Sequence, residues 1–202
     1  MYVNKENMIE WYNNRIEQGE MSLSGWTSRK SQTLRFDATL RMIKSEFHDS
    51  LPVNVVDYGC GTAAFYFYGD RKYINRYIGI EIRSEAREQA SRAIGPEALI
   101  IDKPSEPPDG FSVDAIVANG NFGFAEQDIV SELKSLADIY APRAMIVDVF
   151  STFRPYEPED PVGYVAYNPY TLISRLRKGI DFRRWSLDHS YLGHVFTFGL
   201  FK

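Results

Sequence analysis

The sequence predicts an α/β protein: a mostly parallel sheet with helices on both faces, closed by a C-terminal antiparallel hairpin. Three observations predict it. Short apolar runs alternate with amphipathic, helix-forming segments along the 202 residues. The run Val55-Val56-Asp57 breaks at once into Gly59-Cys60-Gly61-Thr62-Ala63, as a buried parallel strand does where it turns tightly under a ligand. The last two apolar runs, 182–187 and 195–201, have no helix between them and read as paired antiparallel strands.

Residues 1–24 read as an N-terminal helical extension and 25–202 as the main domain. Ser28 is placed to cap a helix that carries Gln32, Arg35 and Phe36. After the strand at Asp57, a second run, Tyr77-Ile78-Gly79-Ile80, ends in Glu81 and Ile82. Residues 84–94 hold helix formers and stop at Gly95-Pro96. The run 98–101 ends in Asp102, before a proline-rich loop at 103–110. The run 113–118 is broken by Asn119-Gly120-Asn121-Phe122. Residues 126–140 form an amphipathic helix with Ile129, Leu133, Leu136 and Tyr140 on one face, ended by Pro142. The fifth strand spans 144–150, and Asn168-Pro169 opens a helix running to about 178. With the hairpin, seven strands are expected.

Ligands of such sheets sit at the carboxyl ends of the strands, near the switch in strand order. Those tips carry Asp57, Gly59, Glu81, Asp102, Asn119, Gly120, Asn121 and Phe122. Glycines in the first loop let a ligand lie against the main chain. An acid about 20 residues further on, at the next strand tip, is positioned to accept from two ribose hydroxyls. Together these features predict a site for an adenosine-containing cofactor. A dinucleotide loop requires a third glycine in G-x-G-x-x-G, whereas Thr62-Ala63-Ala64-Phe65-Tyr66 follows Gly61. A P-loop is excluded, because no Gly-Lys-Ser/Thr is present there.

Asp57-x-Gly59-x-Gly61-x-Ala63 resembles the D-x-G-x-G-x-G cofactor loop of class I S-adenosylmethionine (SAM) dependent methyltransferases, with Ala63 in place of the third glycine. The family's fold is a Rossmann-like seven-stranded sheet with a closing hairpin. The resemblance implies SAM as cofactor, with Asp57, Gly59 and Gly61 near its methionine part and Glu81, followed by Ile82, at the ribose. Asp102 then either accepts from the adenine amino group or merely opens a loop. The segment Gly25-Trp26-Thr27-Ser28-Arg29-Lys30-Ser31-Gln32-Thr33-Leu34-Arg35-Phe36 resembles the G-W-x-S-x-x-S-Q-x-x-R-F opening of a group of small bacterial and phage-type members. Likeness to that group extends from about residue 25 to 202 and includes Asp188-His189-Ser190-Tyr191-Leu192. It places Trp26, Gln32, Arg35, Asn119 and Gly120 with the cofactor. Gln32 and Arg35 share a helical face, and Arg35 offers a fork to the carboxylate of SAM or else is a surface arginine.

The acceptor is expected to be a small molecule or a peptide, methylated on oxygen or nitrogen, with Asn121, Phe122 and Tyr167 beside it. Methyl transfer needs alignment more than covalent help, so a base matters only where the nucleophile must lose a proton. His189, near the hairpin turn on the cofactor edge, is the catalytic candidate, with His194 across that turn. Tyr156, Tyr164, Tyr167 and Tyr170 belong to an aromatic segment of the kind that builds lids. A nucleic-acid base methyltransferase would carry prolines within Asn119–Phe122, and Gly120-Asn121 stands there instead. A SAM-binding protein without methyl transfer is the other alternative. Net charge of −4 gives no general attraction to nucleic acid. Three histidines and one cysteine form no zinc-like spacing. The single cysteine, the lack of a long apolar run and the polar N-terminus fit a cytoplasmic protein without a membrane span.

Overall fold

A computed structural model describes residues 5–19, 22, 26, 28–68, 72–123, 128–153 and 165–202, with the side chains of 5–7 left aside. Its helices are α1 (Lys5–Glu17), α2 (Arg29–Glu46), α3 (Ala64–Phe67), α4 (Ser84–Ile94), α5 (Ile129–Tyr140) and α6 (Pro169–Gly179). The strands are β1 (Val53–Tyr58), β2 (Ile74–Ile80), β3 (Ala98–Ile101), β4 (Ala115–Ala118), β5 (Ala144–Ser151), β6 (Ala166–Tyr167), β7 (Arg184–Leu192) and β8 (Val195–Phe201). They form one sheet in the order β3-β2-β1-β4-β5-β8-β7, with β6 beside β5. Neighbours from β3 to β5 are parallel, while β8 lies antiparallel between β5 and β7.

The expected sheet is present with one added strand. Two-residue β6 extends the end of β5 through Phe150–Ala166 and Ser151–Tyr167 pairing. β4 begins at Ala115 and not at Val113. Just before it, Asp114 accepts the Asn54 N–H on its carboxylate and those of Arg143 and Ala144 on its carbonyl. β7 starts two residues later than expected and runs on to Leu192, carrying His189 and Tyr191 within a strand. α5 begins after the cap Asp128, and the expected start at residue 126 lies outside the described residues.

Alternation along the central strands sends side chains to two cores. Val56, Ile116, Met145 and Val147 meet Leu133 and Leu136 of α5 and Leu172 and Leu176 of α6. Val55, Val117 and Ile146 meet Phe36, Leu40 and Ile43 of α2, Phe65 of α3 and Ala90 of α4. Helices therefore cover both faces, and the carboxyl edge at β1 and β4, where strand order reverses, stays available for a ligand. Among the described residues no helix is long and apolar enough to cross a membrane.

Candidate functional site

The loop after β1 has the backbone its glycines predict. Gly59 and Gly61 take φ of +77° and +57°, and Ala63 follows at +59°. Ala63 thus sits in the left-handed region that favours glycine, so the loop keeps its shape without a third glycine. The Gly59 and Cys60 amides donate to the Ile80 carbonyl at 2.8 and 3.0 Å, which ties the loop to β2. A Cβ on Gly59 would come within 2.6 Å of Asn121 Cγ. The loops after β1 and β4 are therefore in contact.

Two acids stand under this loop. Asp57 is buried and accepts from the Tyr77 hydroxyl at 2.6 Å. Burial raises its carboxyl to about 7, with nearby Glu81 adding and the Tyr77 bond opposing. Glu81, 5% exposed, accepts the Gly61 amide on Oε2 at 2.9 Å and Arg83 N and Nε on Oε1 at 2.8 and 3.2 Å. The Arg83 guanidinium lies 4.9 Å over the Tyr12 ring of α1. Ile82 is half-buried, and its carbonyl and that of Glu81 take bonds from Arg87. Asp102 stands exposed just past β3. Cys60 packs in the core beneath the loop, and its burial pushes the thiol well above its ordinary range.

The third part comes from α2, which Ser28 caps as its type predicts. Arg35 is buried, and its Nη1 donates to Asp148 Oδ1 of β5 at 2.7 Å. The same oxygen accepts the Gly120 amide at 2.9 Å. Rings of Trp26 and Phe150 flank the guanidinium at 5.1 and 5.3 Å. Trp26 also lies against Gly120, where an added Cβ would meet its ring at 3.0 Å. Thr39 donates to Asn119 Oδ1 at 2.7 Å. Gln32 Nε2, Arg35 Nε, Asn119 Nδ2 and Asp148 Oδ2 are buried without a hydrogen-bond partner. Buried polar atoms are nearly always paired, so these four orphans make the neighbourhood of α2, Asn119 and Asp148 a candidate place for a polar ligand.

The hairpin supplies the far wall. The β7–β8 turn opens beside the end of β5, since Val195 pairs with Phe150 and Ser151 N donates to the His194 carbonyl. His189 lies between Phe153 and Phe196 with Nε2 buried and unpaired. The Tyr191 hydroxyl bonds Thr197 at 2.6 Å. Burial and the Arg35 charge lower the His194 imidazole from its ordinary value.

Trp26, Arg35, Asp57, Gly59, Gly61, Glu81, Asn119, Gly120 and Asn121 meet along the edge of β1, β2, β4 and β5, and Gln32 stands about one turn before Arg35 on α2. Two expected acceptor residues do not join them. Phe122, 1% exposed, is drawn into the core against Tyr58, as burial of a whole ring favours. Tyr167 packs on the α5–α6 side of the sheet, with Asp128 and Arg175 as its charged neighbours. Tyr156 and Tyr164 lie outside the described residues. Asp148, Tyr77 and Thr39 were not anticipated. An acid inside the apolar run Ala144–Ser151 was the available signal for Asp148, since a buried carboxylate requires a partner.

No family model and no curated protein matches the sequence. Solved structures match its fold. Magnesium protoporphyrin IX methyltransferase from Synechocystis, with bound SAH, superposes with a TM-score of 0.70 at 12% identity, over 98% of this chain and 100% of that one. An S-adenosylmethionine dependent methyltransferase from Mesorhizobium loti matches at 0.60 and 12%, over 83% and 100%. A [4+2]-cyclase, SpnF, matches at 0.56 and 16%, over 75% of this chain and 60% of that one. The chain has the class I methyltransferase fold. That fold is shared by enzymes of different reactions, so the chemistry must be argued from the site.

Proposed function

We propose that the protein is a SAM-dependent methyltransferase acting on an oxygen or nitrogen of a small molecule or peptide. The observation that carries this is Glu81 bonded to the Gly61 amide at 2.9 Å, which joins the acid at the tip of β2 to the glycine loop after β1. Glu81 Oε2, which accepts one bond, retains acceptor capacity for a ribose hydroxyl, while Oε1 already accepts two. Gly59 and Gly61 let the backbone approach the cofactor, and Arg35, Gln32 and Asn119 offer unpaired donors for its methionine carboxylate. Bound SAM would supply a methyl group activated on a sulfonium. Asn121, whose side chain lies against Gly59, would orient the acceptor. His189 is the group on this edge that would take a proton from a hydroxyl or ammonium acceptor.

The likeness of the Trp26–Phe36 segment to small bacterial and phage-type members belongs to the same proposal, as does a cytoplasmic setting. Two observations speak against a nucleic-acid acceptor. Gly120-Asn121 replaces the prolines of a base-methylating loop. Arg175 and Arg184 are also paired with Asp128 and Glu46 at 3.3 and 2.8 Å. A SAM-binding protein without methyl transfer is the second reading, favoured by a fold match to a cyclase. Calorimetry with S-adenosylhomocysteine (SAH), SAM and NAD tests the cofactor, and binding of NAD alone would overturn it. Incubation with methyl-labelled SAM and acceptor pools, read by mass spectrometry, separates the two readings.

A further inference from the structure

β7 is the last strand of the sheet, and among the described residues no strand pairs with its outer side. Such an edge presents N–H and C=O groups to any strand that can lie beside it. Its regular part is short, because residues 184–188 follow β8 one for one and the register shifts beyond Asp188. Alternation divides these five side chains between two faces. Arg184 bonds Glu46 at 2.8 Å, Ser186 donates to Met42 and Asp188 accepts from Arg41 at 2.7 Å, so all three face α2. Trp185 and Leu187 take the opposite face, where Leu187 packs on the α5–α6 core and Trp185 stays 42% exposed. Between α2 and β7 lies an open trough of about 500 Å³, lined by Met42 and Phe201 and flanked by the two ion pairs.

We propose that β7 is a dimerisation edge, through which two copies of this chain join their sheets with a two-fold axis at Ser186. The segment is self-complementary about that residue. In antiparallel pairing Arg184 stands opposite Asp188 of the second copy, and Asp188 opposite its Arg184. On the other face Trp185 meets Leu187. Opposite charges and apolar pairs in facing positions stabilise antiparallel strands, and like charges there oppose pairing. Both charged groups retain capacity: Arg184 bonds Glu46 through Nη2 alone, and Asp188 Oδ2 accepts one bond, from Arg41. Each end of the interface then carries an alternating row, Arg41–Asp188 of one copy and Arg184–Glu46 of the other. An axis at Trp185 or Leu187 instead sets Arg184 or Asp188 against Ser186 and forfeits both pairs. Because the paired strands run antiparallel, the carboxyl edges of the two copies open in opposite directions.

Sedimentation velocity of the full chain from low to high micromolar concentration tests this. Wild type is expected to pass from monomer to dimer, and hydrogen exchange of the amides at 184–188 is expected to slow as the dimer forms. Arg184→Asp sets carboxylate against carboxylate at both ends of the interface, and Asp188→Arg sets guanidinium against guanidinium. Each variant alone is expected to dimerise roughly tenfold or more weakly than wild type. Mixed in equal amounts, the two variants place opposite charges in every facing position, so a heterodimer of near wild-type strength is expected. Wild type that stays monomeric, or that dimerises with exchange at 184–188 unchanged, overturns the proposal. A dimer that neither charge reversal weakens, or a loss that mixing does not restore, overturns it as well. Should either variant fail to fold by circular dichroism, the wild-type sedimentation and exchange decide alone.

Discussion

The Tyr77 hydroxyl donates to the Asp57 carboxylate across 2.6 Å, and both side chains are buried beneath the glycine loop after β1. The bond partly offsets a desolvation that holds the Asp57 carboxyl at about 7, against an ordinary value of 3.8. The folded state therefore keeps this proton where the unfolded chain has released it. Asp57 contributes stability below about pH 4, and that contribution is lost as pH rises towards 7. The loss is on the order of a few kcal/mol. Asp57→Asn retains an acceptor for Tyr77 and removes the titration. The variant is expected to exceed wild type in denaturant midpoint at pH 8, with the gap closing towards pH 5. Parallel pH profiles for the two proteins would refute the assignment.

Glu81 serves the loop and Arg83 at once, so its removal should separate two effects. Glu81→Ala is expected to weaken SAH by about 1–3 kcal/mol through lost charge-assisted hydrogen bonds. It should also lower the melting temperature, because Arg83 stays buried without its carboxylate. Glu81→Gln is expected to recover much of the melting temperature and little of the affinity. Unchanged SAH affinity in a folded Glu81→Ala protein would take Glu81 out of the ribose role.

Arg35 is clamped between the Trp26 and Phe150 rings and paired with Asp148. Lysine has no planar fork to hold that geometry. Arg35→Lys is expected to weaken SAH while adenosine, which has no carboxylate, binds as before. Equal losses for both ligands would mean that Arg35 supports the fold and does not touch the head group. Arg35→Ala should in addition destabilise the free protein by about 3–5 kcal/mol, the cost of a buried charge left alone.

Much of this edge was legible because a strand tip announces itself. An apolar run that breaks into glycine, acid or amide marks where the chain leaves the sheet, and Asp57, Glu81 and Asn119 each follow that rule. Asp148 was not legible in the same way. It lies inside the run Ala144–Ser151, and its partner Arg35 is 113 residues away, so only the fold joins them. Tyr77 reads as one more apolar strand residue until Asp57 is seen beneath its hydroxyl. Phe122 follows the fourth strand as an acceptor residue would, but ring burial against Tyr58 decides its place. The extension of β7 was hidden by its polar residues, Asp188 and Ser190, which a strand at the sheet edge tolerates.

Ala141 and Ala63 take positive φ, +46° and +59°, and glycine substitution at the two should give different results. A left-handed alanine costs about 1 kcal/mol relative to glycine. Ala141 caps the C-terminus of α5, is exposed, and donates its amide to the Ala137 carbonyl at 2.9 Å. Glycine keeps that bond and relieves the strain, at the cost of some unfolded-state entropy. Ala141→Gly is therefore expected to stabilise the protein by up to about 0.5 kcal/mol. Ala63 is fully buried in the core around Phe36 and Phe65. Losing its methyl forfeits about 0.8 kcal/mol of burial, which nearly cancels the relief. With the same entropy cost, Ala63→Gly should lower stability slightly, and chemical denaturation of the two variants side by side reads the difference. Stabilisation by Ala63→Gly equal to or above that of Ala141→Gly would show that strain in the cofactor loop, and not methyl burial, governs this position.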